Sequence, residues 1–364
     1  WDGLPQERFK LCALAGIRHI VSTYQKDTDV MIRILIACLI LQTSIISLAY
    51  ADIRALYTIR DIEVKTQADS VLEAQQEAFD EVRIDAAETL LRKITLPQDR
   101  QDLNHQGFSA SEAAGLAAAV EIQEETRGGN NYAATLSVVI NPTAMRAYLE
   151  AQSIPYMDRQ APKSLLVPTA RRAEFSDWYA SWEEADPGLL TPYVKTETAY
   201  TANTNWLDLQ SEVGLTGSQR ALFVDLQDTF EGWRVEAFIR VAGHTIPIGQ
   251  TTPQPTLADA HDATIEMLSL HWKKQSIVRS EARTFGQLTV LYTSLPEWTY
   301  LRSAFVQSPL ISDFQIKSIA AEGAFIEFAY AGDQNRLRAD FLQRGLSLNE
   351  EAIGWVVRSA SSGG

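Results

Sequence analysis

QLTVLYT, residues 287–293, runs directly into SLPEWTYLRSAF, residues 294–305, and this junction decides the architecture of the C-terminal third. The first segment is apolar, β-branched and of strand length. The second opens with Ser294-Leu-Pro-Glu297, the pattern of a capping box, and places Trp298, Leu301 and Phe305 on one helical stripe. A second strand is expected at Phe314–Ile319 and a third at Ala324–Tyr330, with Ile326, Phe328 and Tyr330 on one face. Asp333 starts another helix through Leu337, Phe341 and Leu342, and Gly345 ends it as a C′ glycine. One last strand is expected within Leu346–Arg358, ending at Trp355-Val-Val357, before a tail at Ser359–Gly364. The order β-α-β-β-α-β over 284–358 is that of a ferredoxin-like split unit, which settles architecture and not function.

Upstream, residues 161–283 form an aromatic-rich α/β middle domain. KSLLVP, residues 163–168, is a short buried strand, and Trp178, Tyr179 and Trp182 follow on a short helix. Asp186-Pro-Gly188 and Thr191-Pro192 mark loops. Helices are expected at Trp206–Val213 and at Ser218–Leu226. Trp233–Val241 alternates strictly and is a half-buried strand, Gly249–Pro255 is a loop, and Leu257–Lys274 is a helix. Trp178, Tyr179 and Trp182 are the candidate ligand or partner surface, although tryptophans on one stripe more often fill a core.

Residues 52–160 make a first α+β domain. Leu56–Lys65 reads as a strand with a register break at Asp61. Ser70-Val-Leu-Glu73 is a capping box opening a long helix that Pro97 stops, and Ser109-Ala-Ser-Glu112 is a second box opening an Ala-rich helix that ends near Ala119. Gly128-Gly-Asn-Asn131 joins two strands, Val120–Thr126 and Tyr132–Ile140. Because the glycines lead into a strand, a hairpin turn is expected rather than a phosphate-binding loop. Asn141-Pro142 caps a closing helix. The fold class expected for the whole is α+β: three small modules of antiparallel sheet plus helices.

Ahead of these modules stands MIRILIACLILQTSIISLAYA, residues 31–51, with one cation, an apolar run, and Ala49-Tyr50-Ala51 at its end. This is the build of a signal peptide cleaved between Ala51 and Asp52. A retained anchor is the alternative, since the run approaches the ~20 residues that span a bilayer. Leu35-Ile36-Ala37-Cys38 resembles a lipoprotein box, but too few apolar residues precede it. Residues 1–30, which open on Trp1, are expected to be an upstream extension of the reading frame and are set aside. Both cysteines, Cys12 and Cys38, precede Asp52, so no disulfide or thiolate is expected in an exported product. Five of the 32 Lys/Arg and four of the 46 Asp/Glu also precede it, which leaves 27 cationic and 42 anionic side chains, a net of −15. Such acidity argues against nucleic acid and anionic lipid as partners; membrane contact is expected only through residues 31–51 if they are retained.

No catalytic signature emerges. His105, His244, His261 and His271 show no zinc spacing, and His261 and His271 lie about 15 Å apart along one helix. Asp259, His261 and Asp262 read as a solvated acidic helix start, Glu121, Glu124 and Glu125 as a solvated strand face, and Arg171-Arg172 as a surface loop. Neither a nucleophile elbow nor a dinucleotide fingerprint is present. No cofactor and no metal is therefore expected, and the chain reads as non-enzymatic.

Taken together, LSVVINPTAMRAYLEAQSIPYMDRQAPKSLLVP (136–168), HWKK (271–274) and FIEFAYAGDQNRLRADFLQRGLSLNEEAIGWVVR (325–358) resemble a proteobacterial family of exported proteins, domain of unknown function twenty-sixty-six. The chain departs from the family's pattern at Tyr156 and at Arg159-Gln-Ala-Pro162. The resemblance implies no catalytic residues. The expectation is a periplasmic protein of a Gram-negative bacterium acting through contacts with an envelope protein partner. The alternative is a periplasmic small-ligand binder using the aromatic middle domain.

Overall fold

Three β-sheets, each covered by helices, build the region that follows the apolar stretch. The computed structural model describes residues 53–101, 107–171, 175–182, 186–279 and 282–360. The signal-peptide reading with its cleavage residues Ala49, Ala51 and Asp52, the Cys12 and Cys38 readings, His105 and Arg172 lie outside the described residues.

The first sheet has the order β1-β3-β2, all antiparallel, from β1 (Thr58–Gln67), β2 (Ala117–Gly128) and β3 (Asn131–Ile140). The expected break falls at Asp61: its φ is +57° and the register with β3 shifts between Ile59 and Ile62. Helix α1 (Val71–Ile94) starts where the Ser70 hydroxyl accepts from the Glu73 amide, one half of the expected box, and it buries an alanine-rich stripe against this sheet. A short α2 (Pro97–Gln101) follows. Helix α3 (Ala110–Leu116) carries a complete Ser109/Glu112 capping box and ends earlier than expected. Residues 117–119 pair with β3 instead, because ladder bonds to Val139 and Ile140 outweigh alanine's helical preference. Gly128–Asn131 is the hairpin turn, and α4 (Pro142–Ala151) is capped by Asn141.

The middle sheet has the order β5-β4-β6-β7-β8, from β4 (Ser164–Ala170), β5 (Tyr193–Lys195), β6 (Arg220–Thr229), β7 (Gly232–Val241) and β8 (His244–Gln250). Two expectations are corrected here. Ser218–Leu226 is not a helix: from Arg220 the chain is β6, pairing with β4 on one side and β7 on the other. Its residues 220–226 are all buried, so the alternation that marks a half-exposed strand is absent. Nor is this sheet antiparallel throughout. Strands β5, β4 and β6 run parallel, and only β7 and β8 are antiparallel.

Helix α5 (Phe175–Ser181) connects β4 to β5, and α6 (Trp206–Leu215) connects β5 to β6. Trp178 of α5 packs with Leu166, Leu222 and Val224 on one face, while Leu209 and Val213 of α6 pack with Leu165, Val167 and Phe223 on the other. The chain thus winds outward over one face and returns across the other, a doubly wound start with strand order 2-1-3. Helix α7 (Leu257–Ser276) joins α5 on its face through Ala260 and Leu268.

The third sheet has the order β10-β11-β9-β13-β12, from β9 (Thr284–Leu291), β10 (Ile311–Ile319), β11 (Gly323–Tyr330), β12 (Leu346–Glu351) and β13 (Gly354–Ser359). Helices α8 (Leu295–Gln307) and α9 (Gln334–Gln343) cover one face, with the Phe305 ring meeting those of both Phe328 and Phe341. Glu297 uses its carboxylate on the Thr293 amide, one residue before the N-cap, so the expected box is displaced by one position. The expected single last strand is a hairpin. Gly354, at φ +100°, lets the chain reverse after Glu351, and β13 returns parallel to β9.

Candidate functional site

At the carboxyl ends of β4 and β6 the chain leaves β4 through α5 toward β5 and turns from β6 directly into β7, and a crevice opens between the strand ends. Its volume is about 370 Å³, and its lining is Ala170 and Arg171 from the end of β4, Leu226, Gln227, Asp228 and Thr229 from the end of β6, and Trp233 and Arg234 from the start of β7. The β6–β7 hairpin sets the last five of these residues by register: Gln227 lies opposite Arg234, Asp228 opposite Trp233, and Thr229 opposite Gly232. The hairpin is held from behind. Trp233 donates to and accepts from Gln254 along the backbone at 2.8 and 2.7 Å. Gly232 sits at φ +125° with the Gln254 carbonyl oxygen only 2.4 Å from where a Cβ would stand. Only glycine fits that approach.

The polar groups of the crevice are ordered by a relay. The Gln227 amide nitrogen donates to the Glu236 carboxylate at 3.0 Å, which turns its oxygen toward Arg234, whose Nη2 donates to it at 2.9 Å. Arg234 Nε is enclosed and has no hydrogen-bond partner among the described residues. Just below, the Thr169 hydroxyl donates to Asp225 at 2.7 Å, a buried cross-strand pair that closes the floor between β4 and β6. The fully exposed Phe230 forms the tip of the hairpin beside the opening.

The aromatic residues singled out from sequence are not this site. Trp178 and Trp182 are both 0% exposed, locked edge to face at 5.2 Å, with the Trp178 indole N–H donating to the Val224 carbonyl. They are core of the middle module and offer no face to a ligand. Tyr179, on the other side of the helix, gives its hydroxyl to the Thr196 carbonyl and takes Lys195 over its ring at 4.3 Å. Burial raises its pKa, with Glu212 and Glu197 adding to the effect. Sequence reasoning missed the crevice because its residues come from three strands, one of which read as a helix. The available signal was Arg171, dismissed as a surface loop, immediately after a buried strand.

The remaining candidates stay apart. His244 is exposed at the start of β8, and His261 meets Asp262 at 2.9 Å while its ring lies 4.5 Å from that of Trp182. His271 is enclosed beneath β8, its pKa lowered by burial and by the nearby Arg220 charge. Glu121 pairs with Arg54, and Glu125 with Arg127 and the Tyr132 hydroxyl, on the exposed β2. Among the described residues no group of three or more His, Cys, Asp or Glu is placed to hold a metal ion, and no helix is long and apolar enough to cross a membrane. Neither a scan against protein-family models nor a search of curated proteins returned a match for this chain.

Proposed function

We propose that this is an exported, non-enzymatic protein whose middle module binds a small ligand in the crevice between the ends of β4 and β6. The observation that carries this reading is positional: the crevice lies outside the carboxyl ends of two parallel strands, β4 and β6, from which the chain departs toward opposite edges of the sheet, a place where ligands settle in such sheets. Export to the periplasm rests on residues 31–51 and on the resemblance to the exported family. The ligand reading is thus moved from Trp178 and Trp182 to Arg171, Gln227, Trp233 and Arg234.

A thermal-shift screen against sugars, amino acids, small organic acids and phosphate esters tests it. A ligand at 100 times its Kd raises stability by about 2.7 kcal/mol. Asp228→Trp, at an exposed crevice residue, fills the opening and is expected to abolish that shift. A screen with no responding compound, or a response that survives Asp228→Trp, rejects the reading.

A second reading, contact with an envelope protein partner, is favoured by the C-terminal module, which we take as a variant of the ferredoxin-like unit in which β13, the second arm of the β12–β13 hairpin, lies beside and parallel to β9. Phe285 is 82% exposed and Phe325 is 37% exposed on the sheet face opposite Ile326 and Phe328. Crosslinking in envelope extract with Phe285→Ser as the control distinguishes this reading from the first.

A further inference from the structure

We propose that the crevice takes its ligand by an oxyanion, a carboxylate or phosphate group, held by the guanidinium groups of Arg171 and Arg234. This rests on the reading of the crevice as a binding site and names what it selects.

The chain carries a net charge of −14, yet the lining of this crevice contains two arginines and one carboxylate, Asp228. Neither arginine is paired with a carboxylate among the described residues. Arg171 is exposed at the end of β4 and makes no ion pair or hydrogen bond among the described residues. Arg234 makes no ion pair there either. Glu236, two residues along the strand, accepts from the Gln227 amide nitrogen, and Arg234 donates to the neutral Gln227 oxygen. The relay therefore fixes the guanidinium plane through a neutral acceptor, while the enclosed Nε has no hydrogen-bond partner among the described residues. A guanidinium oriented by a neutral acceptor keeps its charge for a carboxylate or phosphate, the groups that Arg binds best. Trp233 supplies an apolar wall beside the fork, which suits a ligand with a short organic body rather than a bare ion.

Isothermal titration of the purified full chain at low ionic strength, with inorganic phosphate and with succinate as probes, tests the assignment. Saturable binding at one site is expected for at least one of them, and the tighter of the two shows which oxyanion the ligand carries. Arg171→Gln is expected to weaken binding about tenfold or more, the scale of a charge-assisted hydrogen bond. Because Arg171 is exposed, that variant keeps its fold; Arg234→Gln is compared only if its melting curve matches the parent. Arg127→Gln, on the distant β2–β3 hairpin, should change nothing. No saturable binding of either anion, or affinity unchanged in Arg171→Gln, overturns the proposal. If neutral compounds give a thermal shift that Asp228→Trp abolishes while neither anion binds, the oxyanion assignment fails and the crevice reading stands. If nothing responds to Asp228→Trp, both fail.

Discussion

Lys273 carries a cation into a site where the residue is 7% exposed, and there its ammonium donates to the carbonyls of Arg92 at 3.0 Å and Thr95 at 2.9 Å. Those carbonyls belong to the last turn of α1, where acceptors lack intrahelical partners and a cation is favoured by the helix dipole. Burial nevertheless dominates and lowers its pKa to about 8, with the Arg100 charge adding to the effect. Because the folded pKa lies below the unfolded one, the unfolded chain binds more protons between about pH 8 and 10.5. Lys273 therefore makes stability rise with pH across that window, whereas below pH 8 its contribution is constant. Lys93, also lowered by burial to about 8, acts in the same direction. Buried tyrosines such as Tyr300, pushed up to about 12, oppose the rise above pH 10. Lys273→Met should flatten the slope of unfolding free energy between pH 8 and 10, measured by urea titration. An unchanged slope would show that the ammonium is not desolvated in solution.

At the level of elements, the β6–β7 hairpin shows how a single backbone position sets a site. Gly232 needs both a positive φ and the absence of a Cβ, since the Gln254 carbonyl would stand 2.4 Å away. Gly243, in the next turn, also has positive φ (+82°) but has nothing within 4 Å of its Cβ position. The two glycines separate strain from collision. Gly243→Ala should cost about 1–2 kcal/mol, the penalty of a left-handed backbone. Gly232→Ala should cost measurably more in urea unfolding, and should displace Trp233 from its bridge to Gln254. Equal costs for the two would mean that the Gln254 strand segment yields freely. Segments of this kind were only partly legible in the residues. The alternation of β7 is plain, but β8 has no sequence expectation of its own, and the loop expected at Gly249–Pro255 overlaps its end; His244–Gln250 contains Pro247 and Gly249 and pairs on one side alone.

Across the whole molecule, α7 is the shared axle. Its Ala260 and Leu268 belong to the middle core, and Trp272 belongs to the core of the first module. The Trp272 indole N–H donates to the Arg159 carbonyl, and its Gln275 carbonyl accepts from Arg336 of α9. Beside it, Arg220 of β6 donates from Nη1 to Gln343 of α9 at 2.6 Å and from Nε to Ser164 at 2.9 Å; burial lowers its pKa, and the neighbouring Arg344 charge adds to this. Arg344 in turn pairs with Asp340 at 3.0 Å, with side chains only 2% and 8% exposed. Arg344→Met strands a buried carboxylate and should cost about 3–5 kcal/mol, whereas the double replacement Asp340→Leu/Arg344→Met should recover most of it. Urea unfolding of both variants checks this, and a double variant no more stable than the single one would show that the pair holds the modules in register by more than its charge.

Read alone, the residues determined the elements whose signals are local. The Ser70, Ser109 and Asn141 caps, the bulge at Asp61, the Gly128–Asn131 turn and the α+β class all follow from short-range hydrogen bonding and periodicity, and each stands where its pattern placed it. What only the tertiary structure decided was everything that depends on enclosure from both sides. Strand β6 lost its alternation because both its faces are covered, the two indoles of Trp178 and Trp182 became core because α7 and the sheet close over them, and the crevice exists only because β4 and β6 lie side by side. A sequence pattern records which residues avoid water, and tertiary packing decides which neighbour removes them from it.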